Sequence, residues 1–323
     1  MSGITRKFLI PILSRVLLFY AFLAMVGCCS HKSLSRSTSG WDVCVVSPQW
    51  SISLETPYNK RFDASGLART PDGRMFTIND KEPGLFEVII DTNKMSGEIR
   101  PVSFHLNWNE LTNSTGLKFS SLDLEGLFID EFYNVWLSDE SHRLIIKGSL
   151  TNGSFKILDI DWNGYEKFFS KDLNASFEGI ALCADKLFVV NERKVGKVIK
   201  IDLQKQKAIY AFSPKPYGSM AADVHYSDIS CFKGFLYLLL RESGVVLKVN
   251  PNSYRVLAEY NFLNSTQTKE NAYRVPFRYR TSLAEGIAVC DDGFFIIIDN
   301  NGWGKVKNPE DKRPMLYYFK FNN

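Results

Sequence analysis

The chain has 323 residues, of which 45% are apolar and 14% aromatic, enough to close a large core and unlike the make-up of a disordered chain. Lys and Arg outnumber Asp and Glu by 39 to 35, but three of the bases, Arg6, Lys7 and Arg15, fall in the first 27 residues, where no acid occurs. Without that segment 36 bases face 35 acids, and no later stretch gathers the basic cluster that a polyanion requires, which excludes nucleic acid as a partner.

The first element is an export leader. Arg6 and Lys7 precede an apolar run from Val16 to Val26, followed by Gly27-Cys28-Cys29-Ser30, the basic, apolar and small-residue layout of a secretory signal. The run is shorter than the about 20 apolar residues that span a bilayer. Met25-Val26-Gly27-Cys28 resembles a bacterial lipobox. This makes residues 1–27 a lipoprotein-type signal peptide and Cys28 the expected site of lipidation, with an ordinary cleaved signal as the alternative. The protein is therefore expected outside the cytosol, anchored to a membrane through its lipid or secreted. Residues 28–40 read as a polar tether and 41–323 as the folded domain. Within that domain Cys44, Cys183, Cys231 and Cys290 each sit in an apolar strand-like run, none in a CxxC pair. They read as small buried hydrophobes in preference to a disulfide or a metal cluster.

From Trp41 onward short apolar runs alternate with turns. Val88-Ile89-Ile90, Leu144-Ile145-Ile146, Leu187 to Val190, Leu236 to Leu240 and Phe294 to Ile298 have the length and branched or aromatic character of strands. Pro71-Asp72-Gly73, Thr151-Asn152-Gly153, Lys233-Gly234 and Asp291-Asp292-Gly293 punctuate them. No window keeps a helical period long enough for a parallel α/β fold, so the chain is all-β.

Internal repetition sets the architecture. Five segments share one plan, from a polar residue through two apolar strands to a polar pair: Ser65 to Asn79-Asp80, Glu125 to Asp139-Glu140, Glu178 to Asn191-Glu192, Asp228 to Arg241-Glu242 and Glu285 to Asp299-Asn300. The first residue and the polar pair lie 13 or 14 positions apart in every segment, and the segments recur at spacings of 60, 53, 50 and 57. A unit of four short strands repeated in this way is a propeller blade. The expected fold is a β-propeller of five blades, or six if both termini build a degenerate one. Val43 to Val46 is expected to supply the fourth strand of the last blade and latch the ring.

Rotational repetition brings equivalent side chains to one axis. Glu125, Glu178, Asp228 and Glu285 are then expected to face one another, with Asp139, Asp299, Asp80 and Asn191 as further oxygen donors and Arg241 as a fixed charge. Carboxylates gathered this way repel unless a cation lies among them. Ca²⁺, which takes six to eight oxygen ligands, is the expected cofactor. For any single acid, capping a turn of its own blade is an equal reading.

Asp123-Leu124-Glu125-Gly126-Leu127 with Trp136 to Glu140, Phe177-Glu178-Gly179-Ile180-Ala181, Tyr226-Ser227-Asp228-Ile229 with Leu239 to Glu242, and Glu285-Gly286-Ile287-Ala288 with Ile298-Asp299-Asn300 resemble the phytase-like (esterase-like activity of phytase) family. SdiA-regulated propellers are similar too. The resemblance runs from about Ser65 to Asn300 and implies a propeller in exported bacterial proteins, with hydrolysis of phosphoesters or other esters. Ser65, which has no carboxylate, and Asn191, where Asp would bind a metal more strongly, depart from the pattern.

No GxSxG, HExxH, P-loop or GxGxxG motif occurs, so other hydrolase and Rossmann readings lack support. The expectation is a monomeric, metal-assisted hydrolase acting on a small ester or phosphoester. Its axial acids would hold the ion, Arg241 and Arg193 would neutralise the departing charge, and His142 would stand at the mouth of the axis. The alternative is a non-catalytic propeller scaffold that binds a ligand or partner at the cell surface.

Overall fold

A computed structural model describes residues 35–36, 40–102, 113, 116–118, 122–169, 171, 173, 175–192, 196–218, 224–276 and 283–321. Contacts divide the chain into two compact units, Met1–Ser35 and Arg36–Asn323. The expected leader of residues 1–27, Cys28 and Arg193 lie outside the described residues. Among the described residues no helix is long and apolar enough to cross a membrane.

Strands β1 (Ser35–Arg36), β2 (Asp42–Val45) and β3 (Pro48–Glu55) open the chain. The first blade follows as β4 (Ala64–Arg69), β5 (Met75–Asn79), β6 (Leu85–Asp91) and β7 (Ser96–Pro101), paired antiparallel in that order. The same meander recurs in β8 (Leu124–Ile129), β9 (Asn134–Asp139), β10 (Leu144–Ser149) and β11 (Phe155–Leu158). It recurs again in β12 (Phe177–Cys183), β13 (Lys186–Asn191), β14 (Val198–Asp202) and β15 (Lys207–Phe212). The fourth blade is β16 (Tyr226–Phe232), β17 (Phe235–Leu240), β18 (Val245–Val249) and β19 (Val256–Asn261). The last is β20 (Ala284–Val289), β21 (Gly293–Ile298) and β22 (Met315–Lys320), with β3 as its outer strand. Tight turns hold each meander. Lys233-Gly234 between β16 and β17 has φ of 48° and 76°, the two left-handed residues of a type I′ hairpin.

The first strands β4, β8, β12, β16 and β20 pack against one another in that cyclic order, and β20 returns to β4. An apolar cluster fills each interface between neighbouring blades. Leu67 of the first blade, for example, shares a cluster with Ile297 and Leu316 of the last. Middle strands such as β17, with Leu236 to Leu240 all buried, are covered on both faces. That is why they read as continuous apolar runs.

Two expectations need correction. The strand that latches the last blade is Pro48–Glu55, antiparallel to β22, and not Val43–Val46. Residues 42–45 instead run parallel to β19 along the outer edge of the fourth blade. Trp50, Ile52 and Leu54 alternate with serines, so one face of β3 enters the core while the run as a whole looks polar. The second correction concerns the cysteines. Cys183 and Cys231 form a disulfide across 48 residues, and only Cys44 and Cys290 are free among the described residues. Cys183 and Cys231 lie near the ends of the first strands of neighbouring blades, and ring closure makes them neighbours regardless of spacing along the chain.

Candidate functional site

Each first strand carries one irregularity near its start. Pairing with the second strand slips between Ser65 and Leu67, Leu124 and Gly126, Phe177 and Gly179, Tyr226 and Asp228, and Ala284 and Gly286. Such a bulge re-aims a side chain out of the ladder. Aligned on Leu67, Leu127, Ile180, Ile229 and Ile287, the equivalent residues are Ser65, Glu125, Glu178, Ser227 and Glu285. Behind them come Gly66, Gly126, Gly179, Asp228 and Gly286. Asp228 therefore sits one place away from the expected carboxylate slot, which Ser227 occupies. Hairpin length hides the slip: paired residues lie 10 apart in the first two blades (Leu67 to Thr77, Leu127 to Leu137) and 9 apart in the other three.

At the glycine slot the strands approach closely. A Cβ on Gly179 would fall 2.7 Å from Asp228 Cα. Asp228, fully buried, accepts the amides of Ile229 (2.8 Å) and of Ile287 in the next blade (2.8 Å), and also bonds the Leu67 backbone in the blade beyond. It clamps three blades together at the axis and offers no open face to an ion.

The second strands also end in one shared slot. The amides of Asp80, Glu140, Glu192 and Asp299 donate to the carbonyls of Asp63 (3.0 Å), Asp123 (2.8 Å), Ser176 (3.0 Å) and Leu283 (3.1 Å). Arg241 takes this slot in the fourth blade. Asp139 falls one residue earlier, level with Asn79. The Asn79 side-chain oxygen accepts the amides of Asp63 (3.2 Å) and Lys81 (3.2 Å), and the Asp139 carboxylate accepts those of Asp123 (2.7 Å) and His142 (2.7 Å). A neutral amide does the same work, so Asp139 is a turn clamp. His142 is held with Nδ1 2.9 Å from Asp139 Oδ1, and none of its described bonds reaches the carboxylates below.

Three second-strand residues, Asp80, Glu140 and Arg241, come next to the bulge residue of the following blade. Asp80 joins Asp123 and Glu125, and Glu140 joins Glu178 and Glu192; within each trio the carboxylate oxygens lie within 4.8 Å of one another. Glu140 bonds Glu178 and accepts the Ser176 amide (2.8 Å). Arg241 donates to Glu285 and to Glu192. Burial, then neighbouring acids, hold Glu125 and Glu178 well above the usual carboxyl range. Burial lifts Glu140 to about 7, with Asp123 and Glu192 adding to it. Glu285 is also raised to about 7 by burial, against the opposing pull of Arg241. Asp299 stands well above its ordinary value through burial and then through Asp63 and Glu285.

Of the expected ligands, the structure brings Glu178 and Glu125 into carboxylate trios, couples Glu285 to Arg241, and sets Asp299 beside Asp63. Asp228 and Asp139 are committed to backbone amides. Glu140, Glu192 and Asp123 complete the trios and were not among the expected ligands. The alignment of Asp80, Glu140, Glu192 and Asp299 as the second-strand terminus was the signal for two of them. Oxygens within 4.8 Å of each other can share one hard cation, since Ca²⁺ binds oxygen at about 2.3–2.6 Å. Asn191, next to Glu192, has a buried Oδ1 with no hydrogen-bond partner among the described residues.

The fold and these residues define a β-propeller with an acidic axial site. Residues 63–231, 169 of the 323, match the phytase-like family described as "Esterase-like activity of phytase", and the chain belongs to that family. No curated protein matches it. Among solved structures, glutaminyl cyclase of Myxococcus xanthus is similar at a TM-score of 0.55 and 12% identity, over 86% of this chain and 97% of that one. Regucalcin of Agrobacterium tumefaciens, a calcium-binding protein, has a TM-score of 0.44 and 11% identity over 87% and 97%. A gluconolactonase of Xanthomonas campestris has 0.43 and 9% over 79% and 72%. At such identities the likeness is one of fold.

Proposed function

We propose that this protein is an exported, metal-assisted hydrolase of a small ester or phosphoester, working at the axial carboxylates. The observation that carries the reading is the buried trio Glu140, Glu178 and Glu192, three acids within ligand reach of one another, of which Glu192 accepts from Arg241. Glu140, Glu178 and Glu192 would hold Ca²⁺, with Asp80, Asp123 and Glu125 as a second acidic group beside them. A bound ion supplies a Lewis acid that polarises a carbonyl or phosphoryl oxygen and makes water more acidic. In the ion-free site burial raises Glu140 to about 7, so protons and the cation would compete for it. Arg241 acts as a positioning residue, fixing Glu192 and Glu285 rather than meeting substrate directly. Export is supported by the leader sequence and by the Cys183–Cys231 disulfide, since disulfides persist in oxidising compartments. Lipidation at Cys28 belongs to the same proposal.

The test is hydrolysis of p-nitrophenyl acetate and p-nitrophenyl phosphate by the purified protein, with Ca²⁺ and with chelator. We expect Ca²⁺-dependent turnover of one ester class, reduced at least 100-fold in Glu178→Gln while the far-ultraviolet circular dichroism is unchanged. Absence of turnover of both esters in either condition would sink the enzyme reading and leave a binding scaffold.

A further inference from the structure

The opposite end of the axis holds a cavity. Arg69 stands four residues beyond Ser65 along β4, roughly 13 Å at about 3.3 Å per strand residue, so this cavity is separate from the carboxylate trios. It measures about 530 Å³ and is lined by residues of all five blades, among them Arg69, Phe128, Leu182, Ser230 and Val289. Its wall is braced twice. The Cys183–Cys231 disulfide joins the third blade to the fourth, and an ion pair from Lys233 to Asp291 joins the fourth to the fifth. A volume of this size falls in the range of small-molecule pockets, about 300–1,000 Å³.

Most charges around it are already matched. Asp130 accepts the amides of Phe132 and Asn134 (both 2.9 Å) and the Trp136 indole N–H (3.0 Å). Asp291 holds Lys233. Arg69 differs: its guanidinium has no hydrogen bond or ion pair among the described residues, and the Ser230 hydroxyl has none either. The remaining rim acid, Glu131, is exposed to water. Arg69 and Ser230 line the same cavity as the apolar Phe128, Leu182 and Val289, and the Arg69 guanidinium lies over Gly73 in the turn between β4 and β5.

We propose that this cavity is a second binding site, independent of the hydrolytic one, for a small organic monocarboxylate with an aromatic or other apolar body. Arg69 would take the carboxylate through two parallel N–H donors, and the apolar wall would cover the body. The test is titration of the purified protein with phenylacetate and with phenylacetamide, followed by calorimetry or by chemical-shift changes. We expect one saturable site for phenylacetate and binding of the neutral amide at least tenfold weaker. Arg69→Gln should weaken phenylacetate at least tenfold with an unchanged melting temperature, Glu131→Gln should leave it unchanged or tighter, and Glu178→Gln should not alter it. No saturation, equal affinity for acid and amide, or equal affinity in a folded Arg69→Gln would each overturn the assignment. The acid and amide comparison on the parent protein needs no variant to fold.

Discussion

Two junctions of the propeller use the same slots for opposite ends. Between the second and third blades Glu140 meets Glu178, acid against acid; between the fourth and fifth Arg241 meets Glu285, base against acid. Backbone geometry is shared, so the difference lies in the side chains. The second junction carries its own counterion and is complete as it stands. The first must take up a proton or a cation, because buried like charges cannot both ionise cheaply. The same scaffold thus carries a self-neutralised junction on one side and an unbalanced one on the other.

The harshest test of this contrast is Arg241→Met, which removes the guanidinium that the buried Glu192 and Glu285 accept from. Chemical denaturation should show a loss of about 3–5 kcal/mol, part of it recovered when Glu285→Gln is added. A neutral effect would mean that the two junctions do not differ as described. Next in size is removal of the disulfide at the far end of the first strands. Cys183→Ser with Cys231→Ser should cost about 2–4 kcal/mol, as expected for a loop of this length, and to the same extent with and without Ca²⁺. That makes it a control for effects confined to the axial acids.

Glu178→Gln should act the other way. Without metal at pH 8 it relieves the acid–acid junction and should stabilise by about 1 kcal/mol, the scale of one pKa unit. It should also abolish any rise in melting temperature on adding Ca²⁺. Glu285→Gln should leave the response to Ca²⁺ intact. The smallest expected effect is in the pH profile. Glu140 titrates at about 7 in the folded protein against an ordinary 4.5, so between those values the folded state holds more protons than the unfolded one. Its contribution to stability is whole below about pH 4.5 and is lost as pH rises through 7. The metal-free melting temperature should fall over that window, and Ca²⁺ should flatten the decline. A profile that rises with pH would remove the case for an unbalanced acid pair.

Much of this was legible along the chain. Alternating apolar runs and turn residues specify an all-β protein, and five recurrences of one plan specify a propeller, because local pattern and turn chemistry are properties of contiguous residues. Glu125, Glu178 and Glu285 could be picked out for the same reason. What the linear order could not reveal was which residues share a level around the ring. A one-residue difference in hairpin length set Asp228 against the wrong partners and made Asp139 look equivalent to Asp299, when Glu140 is. The Glu140–Glu178–Glu192 trio, the Arg241 bridge and the Cys183–Cys231 bond all join neighbouring blades. Bulges and ring closure decide such contacts, since they fix which side chains meet across interfaces that sequence spacing does not measure.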